Sequence, residues 1–211
     1  MSVVAIIDYG MGNLHSVAKA IERVGDGVRV RVTHDARELQ SADRIVLPGV
    51  GAIRDCMQAL HDRELVPVIH ALAENKPLLG ICLGMHALMD FSEENDGVEC
   101  LGILPGSVRR FTDTMQERGE RLKVPHMGWN QVHHNGHPLW RDVPQDSRFY
   151  FVHSYYVAPA HTSIISGTTR YGIEFCSVAA RENVFATQFH PEKSQPAGLA
   201  LLANFLRWNG V

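Results

Sequence analysis

Apolar residues follow two regimes along this 211-residue chain. In the first half, short unbroken apolar runs alternate with stretches of helical period. VVAIID (3–8) is such a run, of the kind expected for a strand buried on both faces of a parallel sheet. A YGMGN turn follows, and Asn13 is placed to cap a helix, NLHSVAKAIERVG, with Leu14, Val17, Ala18 and Ile21 along one face. The pattern predicts further strands at 28–32, 44–51 (RIVLPGVG) and 77–82 (PLLGIC), and helices over 55–60 and 65–73. Strands alternating with helices predict an α/β fold, with a central, mostly parallel sheet flanked by helices.

The second half changes regime. SVRRF, GWNQVHH, RFYFVHSYYV, SIISGTTR, EFCSVAAR and VFATQFH are short β-prone runs separated by turn residues. They predict antiparallel strands added to the central sheet, closed by an amphipathic helix over 199–208. The charged stretch TDTMQERGERLK (112–123) reads as an exposed loop. With no repeat, low-complexity segment or linker in view, one domain over 1–211 is expected.

Composition narrows the function classes. The chain is 45% hydrophobic and 20% charged with a formal net charge of −3, which offers no electrostatic footprint for nucleic acid or an anionic membrane. No apolar run is long enough to cross a bilayer, and the N-terminus lacks the basic region and cleavage site of a signal peptide. Cys56, Cys82, Cys100 and Cys176 lack CxxC spacing, so a reducing, cytoplasmic setting is expected.

Cys82 stands in Gly80-Ile-Cys82-Leu-Gly84, after a predicted buried strand and before a predicted helix. That is the layout of a nucleophile elbow, a tight turn whose neighbours must lack colliding side chains. A helix start beside the sulfur would favour thiolate. The alternative is a buried structural cysteine between packing glycines. His86, four residues on, is the nearest base in sequence, yet the helix would carry it away from the turn, and no carboxylate stands ready to orient it. ATQFHPEKS (186–194) suits better: a strand expected to end at His190, a proline turn, and Glu192 two residues later to accept the imidazole N–H. A polar turn with an incidental ion pair is the alternative there.

GICLG together with FHPEKS resembles the triad (class I) glutamine amidotransferases. The resemblance implies their flavodoxin-like fold and, at the matching positions, a Cys82–His190–Glu192 catalytic set. It implies an oxyanion strand in LPGVGA (47–52), with Gly51 and Leu83 N–H groups as donors, and glutamine contacts at Gly49, His86, Glu94, Ser154 and Tyr155. At position 86 the family usually carries glutamine. Histidine there would preserve hydrogen bonding but bring a changed pH dependence.

VPHMGWNQV (124–132), FYFVHSYYV (149–157) and YGMGN (9–13) resemble more narrowly the glutaminase subunits of imidazole glycerol phosphate synthases, over essentially the whole chain. That branch implies hydrolysis of L-glutamine and transfer of ammonia to a separate (β/α)8-barrel cyclase subunit in a heterodimer. Asn13, Trp129, Asn130, Tyr150 and Lys193 would lie at that interface and ammonia gate. No Walker loop or GxGxxG offers the chain an acceptor site of its own. HHNGH (133–137) has poor spacing for a tetrahedral metal site, so no metal and no cofactor are expected. A subunit serving another acceptor, such as a surface-polysaccharide or anthranilate type, a freestanding cysteine hydrolase, and a non-catalytic binding module are the competing readings.

Overall fold

The structure is a computed structural model describing residues 2–117 and 119–210. Strand β1 (Val3–Ile7) pairs in parallel with β2 (Arg29–Thr33) on one side and β3 (Arg44–Gly49) on the other. Next to β3 lies β4 (Leu78–Cys82), again parallel. The apolar runs follow from what lies above and below. Ala5, Ile7, Ile45 and Leu47 enter one core, while Val4, Ile6, Val46 and Leu79 enter the other. Successive residues of a strand point to opposite faces, so a strand with a core on each face needs apolar residues at every position.

Helices α1 (Leu14–Val24), α2 (Ala36–Ser41), α3 (Ile53–Asp62), α4 (Leu65–Asn75), α5 (Leu83–Ala87) and α6 (Ala197–Arg207) flank this sheet. Buried residues of α1 and α6 fill one core, and those of α3 and α4 the other. Asn13 precedes α1 but makes no side-chain capping bond, contrary to expectation. α2 went unread in the sequence. Its cap is Asp35, which accepts hydrogen bonds from the Arg37 and Glu38 N–H groups at 2.8 and 3.1 Å. An aspartate with Glu38 three places on is the signal that could have found it.

The C-terminal half extends the sheet with Ile173–Arg181, Tyr155–Pro159 and Gly106–Arg110, each antiparallel to the next; Gly106–Arg110 also meets the short Phe91–Ser92 strand in parallel. Val184–Thr187 departs from the expectation of antiparallel strands alone. It pairs with β4 in parallel, Ala186 opposite Gly80, as well as antiparallel with Ile173–Arg181. It also stops at Thr187, before His190. RFYFVHSYYV divides at Ser154 into Ser147–His153 and Tyr155–Pro159. Ser147–His153 pairs with His126–His134, which in turn meets Ile165–Tyr171. Within 112–123, expected as loop, Gln116–Glu117 and Glu120–Arg121 form a two-stranded ribbon; Arg118 lies outside the described residues. Among the described residues no helix is long and apolar enough to cross a membrane.

Candidate active site

Cys82 ends β4 at φ +54°, ψ −109°, a left-handed backbone that a side-chain-bearing residue rarely holds. Such a conformation costs on the order of 1–3 kcal/mol and persists only where its surroundings impose it. Here the glycines do so. A Cβ on Gly84 would collide with the Leu47 carbonyl oxygen, and one on Gly80 would stand 2.7 Å from Leu88 Cδ1. Without those side chains the chain can reverse from β4 into α5 against the neighbouring strand. α5 itself runs for only five residues, so it offers Cys82 the free amides of a first turn rather than the dipole of a long helix.

The register of β3 on β4 sets Gly49 opposite Cys82. The 49–51 segment therefore leaves the sheet beside the sulfur, and Gly51 takes φ +99°, which its missing side chain permits. A Cβ on Gly49 would lie 2.6 Å from the Tyr9 hydroxyl, which donates to the Pro48 carbonyl at 2.8 Å. Tyr9 thus props the segment from beneath, a role sequence reading missed inside YGMGN. Leu83 supplies the first amide of α5.

His190 comes from the loop after Val184–Thr187. Its Nδ1–H donates to Glu192 Oε1 at 2.8 Å, and both side chains are almost wholly buried. Burial opposes a charge on the imidazole, but interactions with Cys82 and Glu192 outweigh it and push His190 up to about 10. Nε2 has no regular hydrogen-bond partner, so the nitrogen remote from Glu192 is left for proton exchange. The loop is tied down by its backbone: His190 N–H donates to the Tyr150 carbonyl at 3.0 Å, and Ser194 Oγ donates to the His190 carbonyl at 2.6 Å.

His86 is buried in α5 and turned to Gln188, its Nε2–H donating to Gln188 Oε1 at 2.8 Å. Burial lowers its pKa to about 4. The pH dependence expected of a histidine at this place therefore does not reach the neutral range, because the ring is already uncharged there. Gln188, unremarked in the sequence, is its anchor. Glu94 is half-buried; its carboxylate accepts from Ile53 N–H at 3.3 Å, and burial raises its pKa despite that bond. Ser154 and Tyr155 sit at the break between two strands, partly exposed, with Phe111 N–H donating to the Ser154 carbonyl at 3.0 Å.

A second group forms on the Ser147–His153 and His126–His134 ladder. Trp129 is 48% and Met127 66% exposed, so Trp129 is not a core residue. Trp129 stands opposite Tyr150 with ring centroids 6.1 Å apart, and Lys193 Nζ lies 5.8 Å from the Tyr150 ring. Asn130 donates to the Arg170 carbonyl at 2.8 Å. Asn13 lines a narrow crevice with Pro48, Val50, His190 and Glu192. The three histidines of HHNGH are each engaged separately. His133 meets Asp146 at 3.4 Å, His134 bonds the Val143 carbonyl, and His137 caps a short 3-10 turn.

The chain has clear relatives among known proteins. The family described as glutamine amidotransferase class-I matches residues 5–208. A Nitrosococcus oceani protein named imidazole glycerol phosphate synthase subunit HisH is 58% identical over 212 residues, covering 100% of both chains. A like-named Acinetobacter baylyi protein is 54% identical over 211 residues, covering 99% of this chain and 100% of its own. Among solved structures, a glutamine amidotransferase aligns with TM-score 0.74 at 16% identity over 100% of both chains. Another glutamine amidotransferase, from Thermotoga maritima, gives 0.65 at 14% identity, covering 98% of this chain and 96% of its own. At those identities the structures speak for the fold alone.

Proposed function

The chain belongs to the class-I glutamine amidotransferase family, and from that premise we propose that it is the glutamine-hydrolysing subunit of an imidazole glycerol phosphate synthase, acting in histidine biosynthesis. The observation that carries the chemistry is the buried His190–Glu192 pair, held in its protonated form beside a cysteine on a strained turn.

In this reading Cys82 thiolate adds to the γ-amide carbon of L-glutamine, and the carbonyl electron pair moves to oxygen. The N–H groups of Gly51 and Leu83 receive that oxyanion; one such donor typically contributes about 2.7–4 kcal/mol. His190 gives its proton to the amide nitrogen, and ammonia leaves a γ-glutamyl thioester on Cys82. Water then attacks the thioester carbon and passes a proton to His190, the sulfur departs as thiolate, and glutamic acid is released and ionises. Glu192 holds the imidazole in one tautomer and balances its charge. Glu94 suits the substrate ammonium, Ser154 and Tyr155 its carboxylate, with Gly49 and His86 lining the pocket. No cofactor enters these steps.

Ammonia then passes to a separate (β/α)8-barrel cyclase subunit, which uses it on the phosphoribulosyl formimino acceptor. Free ammonia in neutral water is mostly protonated and unreactive, so a dry route matters. Support for the docking face comes from the exposed Trp129 beside Tyr150 and Lys193, and in this reading Asn13, near His190 and Glu192, stands at the gate. Asn130 completes the proposed interface. The reading carries a cytoplasmic place of action, where the four unbridged cysteines stay reduced.

Cys82→Ala tests it. In the assembled complex, glutamine-dependent imidazole glycerol phosphate formation should fall ~10⁴-fold or more, while synthesis from added ammonium salt persists. Undiminished glutamine-dependent synthesis overturns the assignment of Cys82. Equal glutamine hydrolysis with and without a cyclase overturns the subunit reading.

A further inference from the structure

Between the partner-facing strand and the proposed glutamine pocket lies a polar chain buried among aromatic rings. His153 Nδ1 is 2.7 Å from the Tyr155 carbonyl oxygen, His126 Nδ1 is 2.9 Å from His153 Nε2, and Asn130 Nδ2 is 3.2 Å from His126 Nε2. Every proton in it can be assigned. A carbonyl only accepts, so His153 carries its hydrogen on Nδ1 and, as a neutral ring, accepts at Nε2. His126 must then donate from Nδ1 and accept at Nε2, where the Asn130 amide donates. The Asn130 orientation is set independently, since its Oδ1 accepts the Gln131 N–H at 2.8 Å and its Nδ2 also donates to the Arg170 carbonyl.

The rings cannot turn to absorb a displacement. His126 is stacked between Phe151 and Tyr171, with centroids at 4.9 and 4.0 Å, and His153 packs on Phe111 and Phe175. Burial keeps both imidazoles neutral. The titratable groups acting on His153 are His126, His86 and His190, none of them a carboxylate, so nothing nearby draws a second proton in. An apolar pair would fill this aromatic cluster without the demand that each buried donor find its acceptor. The polar pair instead joins two named ends: Asn130, on the strand that exposes Met127 and Trp129, and Tyr155, in the segment assigned to the substrate carboxylate.

We propose that His126 and His153 form a positioning relay that sets the Ser154–Tyr155 segment according to the placement of Asn130, so that docking of the cyclase tunes glutamine binding and turnover. The inference rests on the proposed function for the identity of the ligand. The relay geometry itself is independent of it.

His126→Phe keeps the ring stacking and removes both hydrogen bonds. Glutamine hydrolysis is measured as KM and kcat for the isolated chain, and for the complex with its cyclase and the phosphoribulosyl formimino acceptor. Expected is a loss of about tenfold in the stimulation by the complex, read as a raised glutamine KM and a lowered kcat, with the isolated chain within about threefold of wild type. His126→Asn, whose amide nitrogen can stand where Nδ1 stands, should recover part of the stimulation. Unchanged stimulation in His126→Phe, or equal loss in chain and complex, overturns the relay. If the variant fails to fold, 15N histidine spectra of the wild-type chain decide. Two neutral Nδ1–H tautomers that shift on addition of the cyclase support it, and an Nε2–H tautomer at either ring overturns it. Should the wild-type complex leave glutamine untouched, the functional reading fails, and the same spectra still judge the relay.

Discussion

The elbow around Cys82 and the ladder that carries Trp129 show two ways of building a functional surface. At the elbow, position is imposed by the backbone: Gly84 has no room for a methyl group, Gly80 has little, and the register sets Cys82 opposite Gly49. On the ladder, position is imposed by side chains. Tyr150 meets both Trp129 and Lys193 at the surface, while His126 and His153 lie in a buried aromatic cluster. The two regions meet through backbone hydrogen bonds, because His190 N–H is held by the Tyr150 carbonyl and Tyr150 N–H by Ser194 Oγ at 2.8 Å. A reactive atom needs the stiffer construction, since a small misplacement is costly in rate, whereas a docking face can tolerate adjustment.

That contrast can be broken by substitution. The largest effect is expected at Gly84→Ala, which forces a methyl group into the Leu47 carbonyl. Urea unfolding should register a loss of about 3 kcal/mol or failure to fold. A change within experimental error would mean the elbow is looser than its contacts imply.

Glu192→Gln leaves the fold in place and removes one of the charges holding His190 protonated. The rate of glutamine hydrolysis in the complex should fall about 10³-fold. The raised pKa means the imidazolium persists below about 10, so the alkaline limb of the wild-type profile belongs near there. Removing the carboxylate lowers that pKa, and the limb should move to lower pH. A limb that stays put would assign it to another group.

Trp129→Ala is the mildest of the three. It should weaken cyclase binding by about 2 kcal/mol, roughly thirtyfold in Kd by calorimetry. Its melting temperature should scarcely change, because the ring is half in solvent. Wild-type affinity in this variant would remove Trp129 from the interface and leave the ladder without its anchor.

Much of this was legible in the chain and some was not. The inner parallel strands β1, β3 and β4 were visible as apolar runs because each is buried on both faces, whereas the edge strand β2 alternates arginine with valine. The Cys82 turn was visible because only glycine fits around it. His190 and Glu192 were readable as a pair because the acceptor stands two positions after the donor, across a proline turn. By contrast, Asn13 makes no capping bond, α2 escaped notice behind Asp35, and VFATQFH looked like one more added strand when it is parallel to β4. The direction of a strand is a property of what it pairs with. An isolated apolar run carries no mark of it.

His86 draws the line most clearly. The sequence by itself determined that a titratable side chain stands one turn past the nucleophile candidate, and that its nearness in number does not make it the base. Only the tertiary structure decided what that side chain is: a buried neutral ring bonded to Gln188, 102 positions away. The same holds for His126 and His153, 27 positions apart and joined by one hydrogen bond. Local sterics are written in neighbouring residues. Protonation state and hydrogen-bond direction depend on burial and on partners that only folding brings within reach.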